Sequence, residues 1–145
     1  MLPLLDTHLH LVNRDKASYS WTDDIPELAE KNFTIQDHQK LTHKYGVGGA
    51  LFMETGVDDS DYQKETRFIN KLKNNSENII IGIIASIRPE SNEGFDLWLE
   101  ETIDMGVVGY RRILHVMPDE TSKSKTFRNN ISKLGSSSKP FDMCF

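Results

Sequence analysis

The sequence has little of several features that would assign it to a specialised class of protein. It has one cysteine, Cys144, which excludes an intrachain disulfide framework. No segment has the length of an apolar membrane span, and residues 1–5 lack the basic and long apolar regions of a signal peptide. With a formal net charge of −5 and no basic patch, the chain lacks the electrostatic footprint of a nucleic-acid-binding protein. These absences predict a cytoplasmic protein without nucleic-acid or membrane partners.

Several catalytic motifs are absent as well. The sequence has no C-x-x-C pair and no Ser-His-Asp arrangement, and no glycine-rich phosphate loop follows its first apolar run. The missing glycine-rich loop disfavours a dinucleotide-binding protein. No linker or low-complexity segment divides the 145 residues, so we expect a single domain over 1–145.

Short apolar runs alternate with amphipathic helical segments along the whole chain. The runs predict five strands, and the segments between them predict four helices, over 4–12, 34–45, 48–55, 59–73, 79–87, 92–105, 108–116, 126–134 and 140–145. This alternation is typical of right-handed βαβ units and a parallel sheet. Two architectures fit it, an open doubly wound sheet and a (β/α)₈ barrel. Because a complete barrel needs about 250 residues, this chain would supply about five of its eight units.

The first predicted strand carries the densest group of candidate ligands. Asp6, His8 and His10 stand at positions i, i+2 and i+4, so a regular strand would place all three on one face. The opposite face, with Leu5, Thr7, Leu9 and Leu11, is then expected to be buried. Two imidazoles side by side suit a divalent transition metal such as zinc, and we predict that His8 and His10 bind one. The alternative is a solvated edge strand in which the aspartate only supports a turn.

Other polar side chains stand where predicted strands end. Arg111 and His115 share a face by period two, and a guanidinium there suits a substrate carboxylate or a developing oxyanion. Arg112 points the other way, toward either an ion pair or a functional role. Glu54 follows the second strand, either as a ligand or as an acid that caps the next helix.

The remaining polar and aromatic candidates have simpler interpretations. Tyr19 and Trp21 lie in the loop after the first strand, where they would line a substrate mouth or serve in packing. His38 and His43, in the first helix, are expected at the surface. Cys144 stands in an apolar strand and is expected in the core.

Several stretches resemble the amidohydrolase superfamily, in its branch of amidohydrolase-2-type lactonases and related metal-dependent hydrolases. They cover nearly the whole chain and are LLDTHLHL with the following Tyr19–Trp21 loop, YGVGGALFMETG, GIIASI and GYRRILHVMPDETSKSKTFRNNISKLGSSSKPFDMCF. The DTHLH element alone is moderately specific. The C-terminal block, which follows it in the same order as in the family, makes the resemblance strong.

The resemblance implies a (β/α)₈ barrel, truncated here to about its first five units, that hydrolyses a lactone of a sugar acid or dicarboxylate. His8 and His10 match the first-strand histidines of the family, with or without a metal, and Arg111 matches its substrate-facing arginine. The family's general base is an aspartate on the last strand, which would lie beyond residue 145. We therefore expect little activity from this chain alone, and self-association through its open sheet edge.

Three other interpretations stay open. A metal-dependent deoxyribonuclease or phosphoesterase barrel also opens with such a strand, and Glu54 would then be a weak candidate for its glutamate ligand. The chain could instead be a non-catalytic fragment that pairs with another chain. A decarboxylase or hydratase on the same scaffold is a third option, because a fold does not determine a reaction.

Overall fold

The structure, a computed structural model, describes residues 3–144 as alternating strands and helices. Over that range the strands are β1 (Leu4–Leu9), β2 (Val47–Met53), β3 (Ile80–Ser86), β4 (Gly109–Ile113) and β5 (Phe141–Cys144). The helices are α1 (Ile35–Thr42), α2 (Tyr62–Lys73), α3 (Phe95–Asp104) and α4 (Lys125–Gly135). The strands are parallel and their order in the sheet is β1-β2-β3-β4-β5, which confirms the predicted βαβ alternation. The predicted extension of the fifth strand to residue 145 lies outside the described residues.

The chain packs as two compact units, Met1–Ile83 and Ile84–Phe145. In the first unit, a core cluster forms from Val12, Ala17, Tyr19 and Val57. In the second unit the indole of Trp98 is buried and its Nε1–H donates to the carbonyl oxygen of Ser86 at 3.0 Å. Each unit therefore buries large side chains of its own. No helix within residues 3–144 is long and apolar enough to cross a membrane.

Local sequence signals explain where α1 begins and ends. The side chain of Thr34 accepts the backbone N–H of Asp37, and the Asp37 carboxylate accepts the backbone N–H of Thr34, which completes a capping box. The α-helix ends at Thr42 and a short 3₁₀ turn over His43–Tyr45 follows it. Gly46 stops the turn with φ of 73°, a left-handed conformation that glycine adopts without strain.

The strand β1 is buried only toward its carboxyl end. Leu9 and Leu11 are 3% and 0% exposed, as expected, but Leu5 is 48% exposed and Thr7 is exposed as well, so the expectation of burial was wrong for Leu5 and Thr7. Gly49, which pairs with Leu5 on β2, contributes no side chain to this part of the sheet. A side chain at position 49 would have little room, because its Cβ would lie 3.3 Å from Leu5 Cδ1 and 3.4 Å from Ile81 Cδ1. Ile81 is exposed, like Leu5.

Candidate functional site

A bulge interrupts β1 at the predicted ligands. Asp6 lies opposite Ala50 and Leu9 lies opposite Phe52, so three steps along β1 match two steps along β2. Within this bulge the backbone N–H of His8 donates to Asp6 Oδ1 at 3.0 Å. Bulges of this kind re-aim side chains, and they end the simple alternation of faces on which the sequence prediction relied.

As a consequence, Asp6 does not join the two histidines. Its other carboxylate oxygen, Oδ2, accepts from Nε2 of His38 on α1 at 2.9 Å. His38 is 5% exposed, so the expectation of a surface histidine was wrong for His38, whereas it is confirmed for His43. Burial raises the pKa of Asp6, but the hydrogen bonds from His8 and His38 lower it by more, so the net pKa lies below the usual aspartate value.

His8 lies within the bulge and His10 directly follows β1, and their side chains converge. Their Nε2 atoms lie 3.0 Å apart, and the ring centroids are separated by 4.7 Å. Nδ1 of His10 lies 3.1 Å from the carbonyl oxygen of Met53 at the end of β2. Because a carbonyl oxygen only accepts hydrogen bonds, this contact assigns the proton to Nδ1 and leaves a lone pair on Nε2. A backbone carbonyl that fixes the tautomer in this way is typical of a metal-binding histidine.

The donor set fits a divalent ion held in part by the protein. Zinc binds imidazole nitrogens at about 2.0–2.1 Å, so two Nε2 atoms in direct proximity suit neighbouring positions on one ion. Within residues 3–144, no group of three or more His, Cys, Asp or Glu side chains is arranged to hold a metal. The histidine pair (His8 and His10) therefore presents two candidate donor nitrogens, with no third side chain grouped with them among the described residues.

The loop after β1 brings an aromatic side chain to the same end of β2. Trp21 is 48% exposed, and its Nε1–H donates to the carbonyl oxygen of Thr55 at 3.1 Å. That carbonyl stands two residues after the one that binds His10. This hydrogen bond fixes the exposed indole near the carboxyl end of β2. Trp21 thus stays a candidate for the predicted substrate mouth.

Tyr19 has a different position from Trp21. It is 2% exposed in the core cluster, and its hydroxyl accepts the backbone N–H of Asn13 at 3.0 Å. Burial raises the pKa of Tyr19 well above its usual value. This position favours the packing alternative, since the ring belongs to the core cluster and its hydroxyl binds the backbone of Asn13.

Two aspartates after β2 hold the Trp21 loop in place. The backbone N–H and the hydroxyl of Ser20 donate to the Asp58 carboxylate at 3.2 and 2.7 Å, and the N–H of Ser18 donates to Asp61 Oδ2 at 2.9 Å. Hydrogen bonds from Lys64 and Ser18 lower the pKa of Asp61. Ser18, Ser20 and Asp58 border a polar cavity of about 320 Å³. The loop is therefore attached at several points along its length.

Glu54 does not cap a helix, so that alternative was wrong. It is 1% exposed, and Oε2 accepts the backbone N–H of Gly56 at 3.0 Å, within its own turn. The helix α2 begins later, after Asp61. The carboxylate of Glu54 instead stabilises the sharp turn that follows β2.

In the second unit, each of the two arginines of β4 lies beside a different carboxylate. Arg111 lies opposite Asp142 in the sheet, and its Nε is 3.5 Å from Asp142 Oδ2. Arg112 is 5% exposed, and its Nη2 lies 2.5 Å from Glu90 Oε1. The ion-pair interpretation of Arg112 is thus confirmed, while the predicted anion-binding role of Arg111 stays a prediction, because its guanidinium lies beside the Asp142 carboxylate.

His115 lies beyond β4, because that strand ends at Ile113 rather than at the predicted residue 116. The period-two argument that placed His115 beside Arg111 does not reach it. Its Nδ1 lies 3.6 Å from Sγ of Cys144 instead. Cys144 is partly exposed, so the expectation of a core cysteine was wrong. No residue pattern signals this pairing, since 29 residues separate the two side chains.

No protein-family model matches the sequence, and no curated protein matches it either. Solved structures do match. An amidohydrolase from Burkholderia multivorans with bound zinc superposes with a TM-score of 0.75 at 15% identity, over 99% of this chain and 50% of that chain. The chain has the fold of the amidohydrolase barrels. Its five strands correspond to the truncated (β/α)₈ barrel that was predicted.

Two further amidohydrolase-like structures agree with this fold. Amidohydrolase 2 from Bifidobacterium longum subsp. infantis has a TM-score of 0.71 at 20% identity, over 99% of this chain and 52% of its own. A probable 2-pyrone-4,6-dicarboxylic acid hydrolase from Acinetobacter baumannii, with citric acid bound, has a TM-score of 0.68 at 12% identity, over 98% and 49%. The chain thus spans about half the length of the solved structures that it matches.

Proposed function

We propose that the chain provides strands β1–β5 of a metal-dependent hydrolase of the amidohydrolase type, which opens a lactone of a sugar acid or dicarboxylate. The convergence of the His8 and His10 Nε2 atoms at 3.0 Å, with His10 held by the Met53 carbonyl, carries this proposal. Two structural neighbours support it, one with bound zinc and one described as a probable 2-pyrone-4,6-dicarboxylic acid hydrolase.

Each residue has a defined task in this proposal. His8 and His10 would hold a divalent ion such as zinc, which supplies Lewis-acid activation of the ester carbonyl when bound. Arg111 would bind a substrate carboxylate and offset the negative charge that develops as the ring opens. Trp21 would line the substrate mouth, and His115 would contact the substrate from the segment after β4. The general base that takes the proton of the attacking water is proposed to lie outside residues 3–144.

We expect Arg111→Gln to weaken binding of a carboxylate ligand. Losing one charge-assisted hydrogen bond costs about 1.5–3 kcal/mol, which corresponds to roughly a 10- to 100-fold lower affinity for citrate. The matched control is Arg128→Gln, because Arg128 is an exposed arginine of the same unit. Calorimetric titration with citrate measures both. Equal citrate affinity in Arg111→Gln and the unaltered chain would remove Arg111 from the anion site.

The reaction class is tested with a substrate panel at saturating zinc. The panel holds 2-pyrone-4,6-dicarboxylate, five-membered sugar lactones and a chromogenic phosphodiester, and it is assayed with this chain and with any in-frame continuation after Phe145. We expect ring opening by the longer protein, and rates lower by orders of magnitude from this chain, because a central catalytic group is missing. Cleavage of the phosphodiester in preference to every lactone would contradict the proposal.

A further inference from the structure

We propose that His38, on α1, is a positioning residue for the histidine pair and that it acts through Asp6. The inference rests on the proposed function for the meaning of the pair, but its structural part concerns this chain alone. His38 is in a different element from the pair, and nothing in the sequence pattern connects them.

A continuous set of contacts leads from α1 to the candidate ligands. Nε2 of His38 donates to Asp6 Oδ2 at 2.9 Å, and Asp6 Oδ1 accepts the backbone N–H of His8 at 3.0 Å. One carboxylate thus bridges a helix side chain and the backbone of the first ligand. Both of its oxygens are used, one for each contact.

The bridge coincides with the bulge in β1. The backbone N–H of His8 donates to Asp6 within its own strand. The register between β1 and β2 shifts over this stretch. His8 lies within this shifted stretch, and its Nε2 atom lies 3.0 Å from that of His10. The orientation of the Asp6 carboxylate therefore helps to determine where the His8 side chain points.

His38 is well placed to hold that carboxylate in one orientation. Its side chain is 6% exposed, and within residues 3–144 its Nδ1 has no hydrogen-bond partner. Asp6 is therefore the polar group on which the buried ring depends, and the ring cannot leave it without losing its hydrogen bond. The capping box at Thr34 and Asp37 fixes the start of the short helix that carries His38.

A merely structural role for this contact would tie α1 to β1 and nothing more. The two roles differ in what a substitution changes. A structural tie would alter the unfolding free energy but leave the properties of the zinc site untouched. A positioning role alters the zinc affinity and the environment of the His8 amide, even where the protein stays folded.

The test compares His38→Ala with His38→Gln, whose side-chain amide can donate from about the position of Nε2, and with His43→Ala as the matched exposed control. Removing a group bonded directly to a metal ligand costs about 10- to 100-fold in metal affinity, and His38 acts one contact further out, so we expect a loss of about 10-fold. We expect His38→Ala to lose that factor in zinc affinity, His38→Gln to regain most of it, and His43→Ala to match the unaltered chain. Asp6→Asn offers a single amide oxygen in place of two carboxylate oxygens, so it should behave like His38→Ala.

A second readout needs no metal. In zinc-free protein, we expect faster hydrogen exchange of the His8 amide and a shift of its ¹⁵N resonance in His38→Ala and Asp6→Asn. Unchanged zinc affinity together with an unchanged His8 amide in folded His38→Ala would overturn the proposal. If the unaltered chain binds no zinc, the proposed function loses its metal site, while the His8 amide still decides the role of His38. If His38→Ala does not fold, His38→Gln and Asp6→Asn provide the same comparison.

Discussion

Alanine at His8 or at His10 is expected to remove stoichiometric zinc binding from this chain. Zinc binding by a full set of four ligands is worth about 10–16 kcal/mol, or about 3 kcal/mol for each ligand, so losing one of these two histidines should lower affinity on the order of 100-fold. The Nε2 atoms of both histidines lie 3.0 Å apart, so each single substitution should have a similar effect. Calorimetric titration with zinc at neutral pH, monitored for one ion per chain, measures it.

His43→Ala is the matched control, because His43 is an exposed histidine of the first unit outside the pair. It should retain the zinc affinity of the unaltered chain. If His8→Ala and His10→Ala bind zinc as tightly as His43→Ala does, the histidine pair is not the metal site.

The second large effect is expected from Glu90→Ala, which should lower the unfolding free energy by about 3 kcal/mol. Arg112 is 5% exposed, and its guanidinium lies 2.5 Å from Glu90 Oε1. Removing one partner of a buried ion pair leaves the other charge desolvated, and that typically costs about 3–5 kcal/mol. We expect a loss of unfolding free energy at the lower end of that range, because the Glu90 side chain is 21% exposed and Met117 Sδ also contacts Arg112, at 3.3 Å. Equilibrium unfolding in urea measures the difference.

Glu120→Ala is the control for this prediction. Glu120 pairs with Lys123 at 2.9 Å, but both side chains are mostly exposed, so the change should be below about 1 kcal/mol. A double replacement, Glu90→Leu with Arg112→Met, should recover most of the loss, because buried ion pairs are often replaceable by apolar side chains. A Glu90→Ala effect no larger than that of Glu120→Ala would show that the pair is energetically unimportant.

The architecture could be predicted because it depends on periodicities that are local in the sequence. Apolar runs such as 79–87 and amphipathic segments such as 92–105 each carry their own pattern, and their alternation allows few topologies. The period-two spacing predicted that His8 and His10 lie together, and their Nε2 atoms are 3.0 Å apart, although His8 stands within the register shift and His10 follows the last residue of β1.

The Asp6 contact could not be predicted, because period-two reasoning assumes a regular strand. Nothing between Asp6 and Leu9 signals the bulge, and the partner of Asp6 is 32 residues away on α1. An expectation of burial from hydrophobicity alone fails for a similar reason on α3. The apolar Ile103 is 44% exposed, whereas the neighbouring polar Thr102 is fully buried and hydrogen-bonds to Tyr110.

The most direct test of the account is the X-ray absorption spectrum of the zinc-loaded chain at the zinc K-edge. The account predicts imidazole nitrogen at about 2.0–2.1 Å, with the imidazole signal lost in a His8→Ala, His10→Ala double variant. A sulfur scatterer at about 2.3 Å would instead place the ion at Cys144, beside His115. That result would contradict the assignment of His8 and His10 as the metal ligands.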